Sequence, residues 1–381
     1  MSFNEYKEYI EEGDLVLAWL SRDNFKPIYI GANDNLNTRY GSFPHSLMIG
    51  QRYGSQISSK SGKGFVYLLA PTPELWTLSL PHRTQIVYTP DSSYIIQRLN
   101  ISSNSRIIEA GTGSGSFSHA FARSVVNDER NNGLVFSYEF HQTRYEKARI
   151  EFESHKLLNN KIILTHRDVC KNGFQVNNFP ENKNINNAIN GDRNGNTQMN
   201  VTVIFLDLPS PWDAIPHLDK VITQEHEARI CCFSPCIEQV ERTIRALSSN
   251  RWVQIEMVEV QSKSWKSHKM MIKDIDDVVN RLKDIKRRKI NGIQELKEKN
   301  ARRKRNSSDL EELQPNSEEG KEAPKQENKK ARGFNPFGRG LRVLEGDENY
   351  NWLNITRMEP EIKSHTSYLT FACKVPENKS K

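Results

Sequence analysis

Little in this chain suits an oxidising compartment or a bilayer. Its five cysteines are odd in number and not paired in spacing, which argues against a disulfide framework and for a reduced, intracellular setting. Cys231, Cys232 and Cys236 lie close enough together to raise a metal site. With no histidine pair beside them, their apolar flanks favour thiols of a core, and no metal is expected. No apolar run approaches the roughly twenty residues that span a bilayer, and the start Met1-Ser2-Phe3-Asn4-Glu5 lacks the pattern of a signal peptide. Acidic residues are outnumbered, 47 against 54 Lys and Arg, leaving a formal charge of +7 and a pI near 9.0. That excess suits an anionic partner such as RNA, although much of it is concentrated in Lys286-Arg287-Arg288-Lys289 and Arg302-Arg303-Lys304-Arg305.

At 381 residues and 36% hydrophobic content, the chain exceeds one average domain and holds enough apolar side chains for a packed core. Residues 1–80 show short alternating or apolar runs, Asp14 to Trp19, Pro27 to Ile30 and Gly64 to Leu69, with little helical periodicity, which predicts a small β-rich N-terminal domain. Over residues 81–381 apolar strands alternate with helical patterns at Phe117 to Val126, Arg144 to Leu158 and Ile237 to Leu247, the signature of an α/β parallel sheet with helices on both faces. The runs Trp252 to Val260 and Tyr368 to Cys373 fit a closing hairpin. Two polar inserts interrupt this part, an asparagine-rich one at about 177–200 and a charged one at about 280–335; both are expected to be surface loops. The basic clusters in the second are spaced as in a bipartite nuclear import signal, and a solvated charged helix or tail explains them equally well.

The chemistry concentrates in Ile107-Ile108-Glu109-Ala110-Gly111-Thr112-Gly113-Ser114-Gly115-Ser116, an apolar run that ends in an acid and opens into three alternating glycines. Strand, tight turn and helix start are where an α/β sheet holds a nucleotide-like cofactor. A dinucleotide site places its glycines to bring a helix N-terminus to a pyrophosphate; here the acid comes first and the spacing is G-x-G-x-G, which favours S-adenosylmethionine. That cofactor has no phosphate and carries a sulfonium and an ammonium, so Glu109 suits it. Three further strands end in acids, Glu139 after Leu134 to Tyr138, Asp168 after Lys161 to Thr165, and Asp207 after Val201 to Leu206. Core packing gives no reason for that repetition at one sheet edge. Methyl transfer is an in-line displacement. A carboxylate beside the acceptor stabilises positive charge that grows in the transition state, and Asp207 is the candidate. Trp212 is read either as a base-stacking ring or as a plug of the core.

The blocks Glu109 to Ser116, Glu139-Phe140-His141-Gln142 with Arg144, Asp168-Val169-Cys170, Phe205 to Trp212 and Phe233 to Gln239 carry a resemblance. So do Pro71 to Trp76, Pro81 to Tyr88 and the return at His365 to Pro376. Together they resemble the catalytic subunit family of the eukaryotic tRNA (adenine-N1)-methyltransferase, which modifies the T-loop adenosine at tRNA position 58. The resemblance implies a class I S-adenosylmethionine-dependent methyltransferase, Rossmann-like sheet behind the β-rich N-terminal domain. It implies that Val87, Ser114, Gly115, Ser116, Glu139, Arg144, Asp168 and Val169 join Glu109, Gly111, Gly113 and Asp207 in holding the cofactor, with Asp207 also catalytic. It further implies tRNA as substrate, a related noncatalytic RNA-binding subunit, a heterotetramer of two chains of each kind, and nuclear residence. Methylation of another RNA, of a protein or of a small molecule, and an RNA-binding scaffold without catalysis, stay open at this point.

Overall fold

Alternation within each strand decides the architecture. A computed structural model describes residues 3, 6–21, 24–62, 64–81, 85–128, 130–176, 199–261, 263, 265–308, 348, 350–358 and 367–376. The N-terminal part contains β1 (Leu15–Ser21), β2 (Asn24–Tyr29), β3 (Asn35–Thr38), β4 (Gly41–Pro44), β5 (Gln56–Ser58) and β6 (Phe65–Leu69). Four of these form an antiparallel sheet in the order β2-β1-β6-β5, and β3 pairs with β4 as a separate hairpin. Val16 and Ala18 of β1 enter a core of their own with Ile28, Phe43 and Val66. Leu15 and Leu17, on the opposite face of the same strand, pack instead with Trp76, Ile107 and Phe121 of the following part.

Beyond it come α1 (Pro73–Ser79), α2 (Thr89–Arg98), β7 (Arg106–Ala110), α3 (Ser116–Ser124), β8 (Leu134–Glu139), α4 (Gln142–Ser154), β9 (Ile162–His166) and α5 (Val169–Asn172). They are followed by β10 (Val203–Leu206), α6 (Pro211–Ala214), β11 (Ala228–Ser234), α7 (Ile237–Ser249) and β12 (Val253–Glu259). The chain returns at β15 (Tyr368–Lys374) to complete a seven-stranded sheet in the order β12-β15-β11-β10-β7-β8-β9. The run β11-β10-β7-β8-β9 is parallel, and β15 is antiparallel to both its neighbours, so Trp252 to Val260 and Tyr368 to Cys373 pair as expected. Ile107, Val135, Phe205 and Phe233 pack on one face, and Ile108, Phe136, Ile204 and Cys232 on the other. Burial on both faces is why these strands read as continuous apolar runs. Cys231 and Cys232 point to opposite faces of β11, which keeps the two thiols from sharing a ligand, and exposed Cys236 caps α7.

The compact units are residues 1–262 with 363–381, and residues 263–362. The boundary expected near residue 80 therefore does not separate units, because Leu15, Leu17 and Trp76 share one apolar cluster with the sheet. The second unit begins before the expected insert, and its described residues form two strands and a helix rather than a loop. It contains β13 (Trp265–Met271) and β14 (Trp352–Met358), paired antiparallel from Trp265↔Met358 to Met271↔Trp352, and a 34-residue helix α8 (Ile275–Ser308). Lys, Arg, Glu and Leu are strong helix formers, and Asp284 pairs along the helix with Arg287 and Arg288, which is why a charged segment became a helix. The other polar insert, apart from Met199 and Asn200, lies outside the described residues, as do His82, Arg83 and Thr84 and His365. No helix among the described residues is long and apolar enough to cross a membrane.

Candidate functional site

The sheet reverses its order of assembly at β7. The chain runs outward from β7 to β8 and β9, then returns to place β10 on the other side, and at such a switch point the loops leaving the two central strands diverge and open a crevice. Here they are the glycine loop after β7 and the Asp207-Leu208-Pro209-Ser210-Pro211-Trp212 loop after β10. Leu206 lies opposite Ala110, and Asp207 N–H continues the ladder to the Ala110 carbonyl at 2.9 Å.

Glycine is required at the floor of the crevice. Gly111, Gly113 and Gly115 have φ of 92°, 57° and 72°, in the region that side chains disfavour. At Gly111 an added Cβ would also stand 2.1 Å from the Asp207 carbonyl oxygen. The loop is tied to β8 from beneath, since the N–H groups of Gly111 and Thr112 donate to the Tyr138 carbonyl at 2.9 and 3.2 Å.

The acids occupy distinct stations. Glu109 is 1% exposed; its Oε2 accepts the hydroxyls of Ser118 at 2.6 Å and Ser137 at 2.7 Å. Burial, opposed by those two hydrogen bonds and reinforced by the charges of Asp207 and Glu139, pushes its pKa up to about 7. Expected to hold the cofactor, Glu109 is buried and joins the end of β7 to α3 and β8 through these two hydroxyls. Glu139 lies at the end of β8, where Oε2 accepts Gly113 N–H at 3.0 Å. Its Oε1 accepts His141 N–H at 2.9 Å and the Nε and Nη2 of Arg144 at 3.0 and 2.8 Å. Asp207 borders the crevice from the β10 side, and burial, with the negative charge of Glu139 adding to it, raises its carboxyl to about 7.

The remaining candidates frame this centre. Ser116 and Val87 are buried; the Ser116 hydroxyl donates to the Val87 carbonyl at 3.2 Å and lies 2.7 Å from the Thr77 hydroxyl, fastening the segment before α2 to the start of α3. Ser114 is in the turn itself. Asp168 caps α5 by accepting Cys170 and Lys171 N–H groups at 3.1 and 3.3 Å, and Val169 is buried behind it. Trp212 is partly buried and lies under the Arg242 guanidinium, 5.2 Å from ring centre.

Sequence reasoning missed the residues that hold these in place. Gln239 on α7 donates from Nε2 to the Pro209 carbonyl at 3.0 Å and accepts Cys236 N–H at 3.2 Å, clasping the β10 loop. Ser118 and Ser137 were also missed, though polar residues at positions patterned for burial were the signal available. The assembled site sets the carboxyls of Glu139 and Asp207 beside a glycine loop in which Gly111, Gly113 and Ser114 are partly exposed, and it suits a ligand carrying positive charge and hydroxyl groups.

Residues 64–374 match the family described as tRNA methyltransferase complex GCD14 subunit. The chain is 52% identical over 381 residues to the tRNA (adenine(58)-N(1))-methyltransferase catalytic subunit TRM61 of Candida glabrata, covering 99% of this chain and 97% of that one. It is similar in structure to an S-adenosylmethionine-dependent O-methyltransferase from Thermotoga maritima, with a TM-score of 0.61 at 19% identity over 98% of this chain and 97% of that one. A tRNA (m1A58) methyltransferase, TrmI, from Aquifex aeolicus gives a TM-score of 0.56 at 18% identity over 96% and 99%. At those identities the two structures bear on the fold alone.

Proposed function

The chain belongs to the family of the tRNA methyltransferase complex GCD14 subunit and has the fold of a class I S-adenosylmethionine-dependent methyltransferase; from this premise we propose that it is the catalytic subunit of a tRNA (adenine(58)-N(1))-methyltransferase, forming 1-methyladenosine in the T-loop. The observation that carries the reading is the meeting of the glycine loop with Asp207 at the switch point, both loops intact and the acids in place.

The residues present fit S-adenosylmethionine. Asp207 is raised by burial and by a negative neighbour, so a cation entering the crevice relieves an existing shortage of positive charge. Glu139 Oε2 has spent one bond on Gly113, and a carboxylate oxygen accepts more than one, which leaves room for a ribose hydroxyl. Arg144 holds Glu139 in orientation. Asp168 and Val169 would flank the adenine edge, Val87 would close the wall, and the backbone of Ser114, Gly115 and Ser116 would face the methionine end.

Bound there, S-adenosylmethionine supplies an electrophilic methyl group. The chain's own task is to align the target base and balance its charge. Asp207, as carboxylate, accepts a hydrogen bond from the exocyclic amine of adenine, raising electron density at N1 and stabilising the cationic product. No base is needed, because N1 has no proton to lose. Pro209 and Pro211 restrict the loop that carries Asp207.

A partner subunit accompanies this chain, as the family's description as part of a complex supports. We assign it as a related noncatalytic RNA-binding chain in a heterotetramer of two chains of each kind. Extracting a stacked adenosine from folded RNA costs a few kcal/mol, which backbone contacts from both subunits offset. Nuclear residence rests on Lys286-Arg287-Arg288-Lys289 and Arg302-Arg303-Lys304-Arg305; replacing both clusters by glutamine and imaging the tagged chain tests it, and unchanged nuclear signal would discard the assignment.

The deciding experiment is transfer of labelled methyl from S-adenosylmethionine into unmodified tRNA by the purified complex, followed by nucleoside analysis. Label in 1-methyladenosine is the expected result. Label in another nucleoside or in protein would keep the fold and discard the reaction.

A further inference from the structure

Two buried histidines beside the site have no part in the chemistry above. His119 lies on α3 with no exposed surface, and His155 follows α4 at 2% exposure. Their rings are enclosed by Phe3, whose centroid is 4.6 Å from His119 and 4.7 Å from His155, by Trp76 at 4.8 Å from His155, and by Phe152 at 5.5 Å from His119. Burial holds both imidazoles neutral, with pKa values lowered to about 4 and about 3.

Neutral rings in this geometry permit one ordering of protons. His119 Nδ1 is 2.6 Å from the Gly115 carbonyl; a carbonyl only accepts, so Nδ1 carries the proton and Nε2 is left to accept. His155 Nδ1, 2.8 Å from that Nε2, must then donate, which leaves His155 Nε2 as an acceptor for the Tyr29 hydroxyl at 3.2 Å. We propose that Tyr29, His155 and His119 form a directional hydrogen-bond relay that fixes the Gly115 carbonyl and so positions the cofactor loop, making His119 and His155 positioning residues for S-adenosylmethionine. The proposal rests on the assignment of Gly111 to Gly115 as the cofactor loop.

The relay acts at the Gly115 carbonyl, where the loop passes into α3. Gly115 is the left-handed residue that opens α3, and no side chain caps the helix there. Its carbonyl receives the backbone N–H of His119 only at 3.3 Å, a weaker bond than that from the imidazole. With Gly113 held by Glu139 and Gly115 by His119, the turn is clamped on both sides. Through Tyr29 of β2 the clamp reaches into the N-terminal sheet, linking that sheet to cofactor binding.

His119, His155 and Glu151 also present one ligand atom each within 4.8 Å of one another. A tetrahedral zinc would hold two imidazole nitrogens about 3.3 Å apart, whereas these stand at hydrogen-bond distance, and the rings of Phe3, Trp76 and Phe152 wall the cluster. The relay is the reading the distances favour.

The test uses the complete complex. His119→Leu and His155→Leu should weaken S-adenosylmethionine binding about tenfold or more by calorimetry, with kcat at saturating cofactor within about threefold, and should speed amide exchange over 111–117 before cofactor is added. His155→Asn, which keeps a donor at the Nδ1 position, should restore most of the affinity; Tyr29→Phe should cost about two- to threefold. Wild-type affinity and loop protection in folded His119→Leu, or no difference between His155→Asn and His155→Leu, would overturn the relay. Stoichiometric zinc by elemental analysis would replace it with a metal site. Should the wild-type complex fail to bind S-adenosylmethionine, the assigned function fails, while exchange over 111–117 still decides the relay.

Discussion

The Asp207 carboxyl stands close to half protonation near neutrality, since burial and the Glu139 charge raise it to about 7. The ionised form accepts the adenine amine more strongly and balances the charge of the cationic product, so the activity carries a proton dependence of definite sign. The free enzyme governs kcat/KM for the cofactor, which should rise as pH climbs through about 7 and level off above it. A bound cation favours the carboxylate, so the inflection in kcat should lie at lower pH. Asp207→Asn should lower single-turnover transfer by about 10² to 10³ and abolish the inflection, with cofactor affinity by calorimetry within a few-fold. Loss of affinity in step with rate would make Asp207 a cofactor ligand alone.

Elements, rather than single residues, bring the two loops together. β7 and β10 pair so closely at their ends that Gly111 has no room for a side chain. Gly111→Ala should cost about 1–3 kcal/mol from its positive φ alone, with the clash against the Asp207 carbonyl added, and thermal unfolding will show the loss. α7 clasps the opposite loop through Gln239. Gln239→Ala, removing a hydrogen bond worth about 1 kcal/mol, should lower kcat several-fold with S-adenosylmethionine affinity nearly unchanged, because the Pro209 loop carries the catalytic carboxyl and the glycine loop carries the cofactor. Equal losses in both would show that the two loops move as one.

Across the whole molecule, buried titratable groups pull stability in opposite directions. Glu109 rises from its ordinary 4.5 to about 7 on folding, so its contribution is complete below the unfolded value and is lost as pH rises through about 7. His119 and His155 fall from 6.5 to about 4 and about 3, so theirs is present above 6.5 and is lost as pH falls toward those values. Glu109→Gln removes the first effect and keeps the second. Its Tm relative to the parent should therefore improve between about pH 5 and about pH 8; a constant difference would mean that Glu109 does not titrate in this window. The net charge of +7 also predicts that log Kd for tRNA rises linearly with log salt, and a flat response in a binding titration would rule out phosphate contacts as the main source of affinity.

The sequence by itself determined the β7 glycine loop, the acids at Glu139, Asp168 and Asp207, and the strands that carry them, because each is written locally. Burial on both faces leaves a continuous apolar run, and a turn that needs positive φ leaves glycine. β11 was harder to see, since Ala228 to Ser234 mixes two cysteines and an arginine into its run. The charged segment that forms α8 reads equally as a surface loop or a solvated helix, because its charge content fits both. Only the tertiary structure decided which acid borders the crevice and which one is buried between α3 and β8, that β1 serves two cores, and that Tyr29, His155 and His119 line up on Gly115. Those arrangements join residues up to 126 positions apart, and a hydrogen bond between distant side chains imposes no period on the chain that makes it.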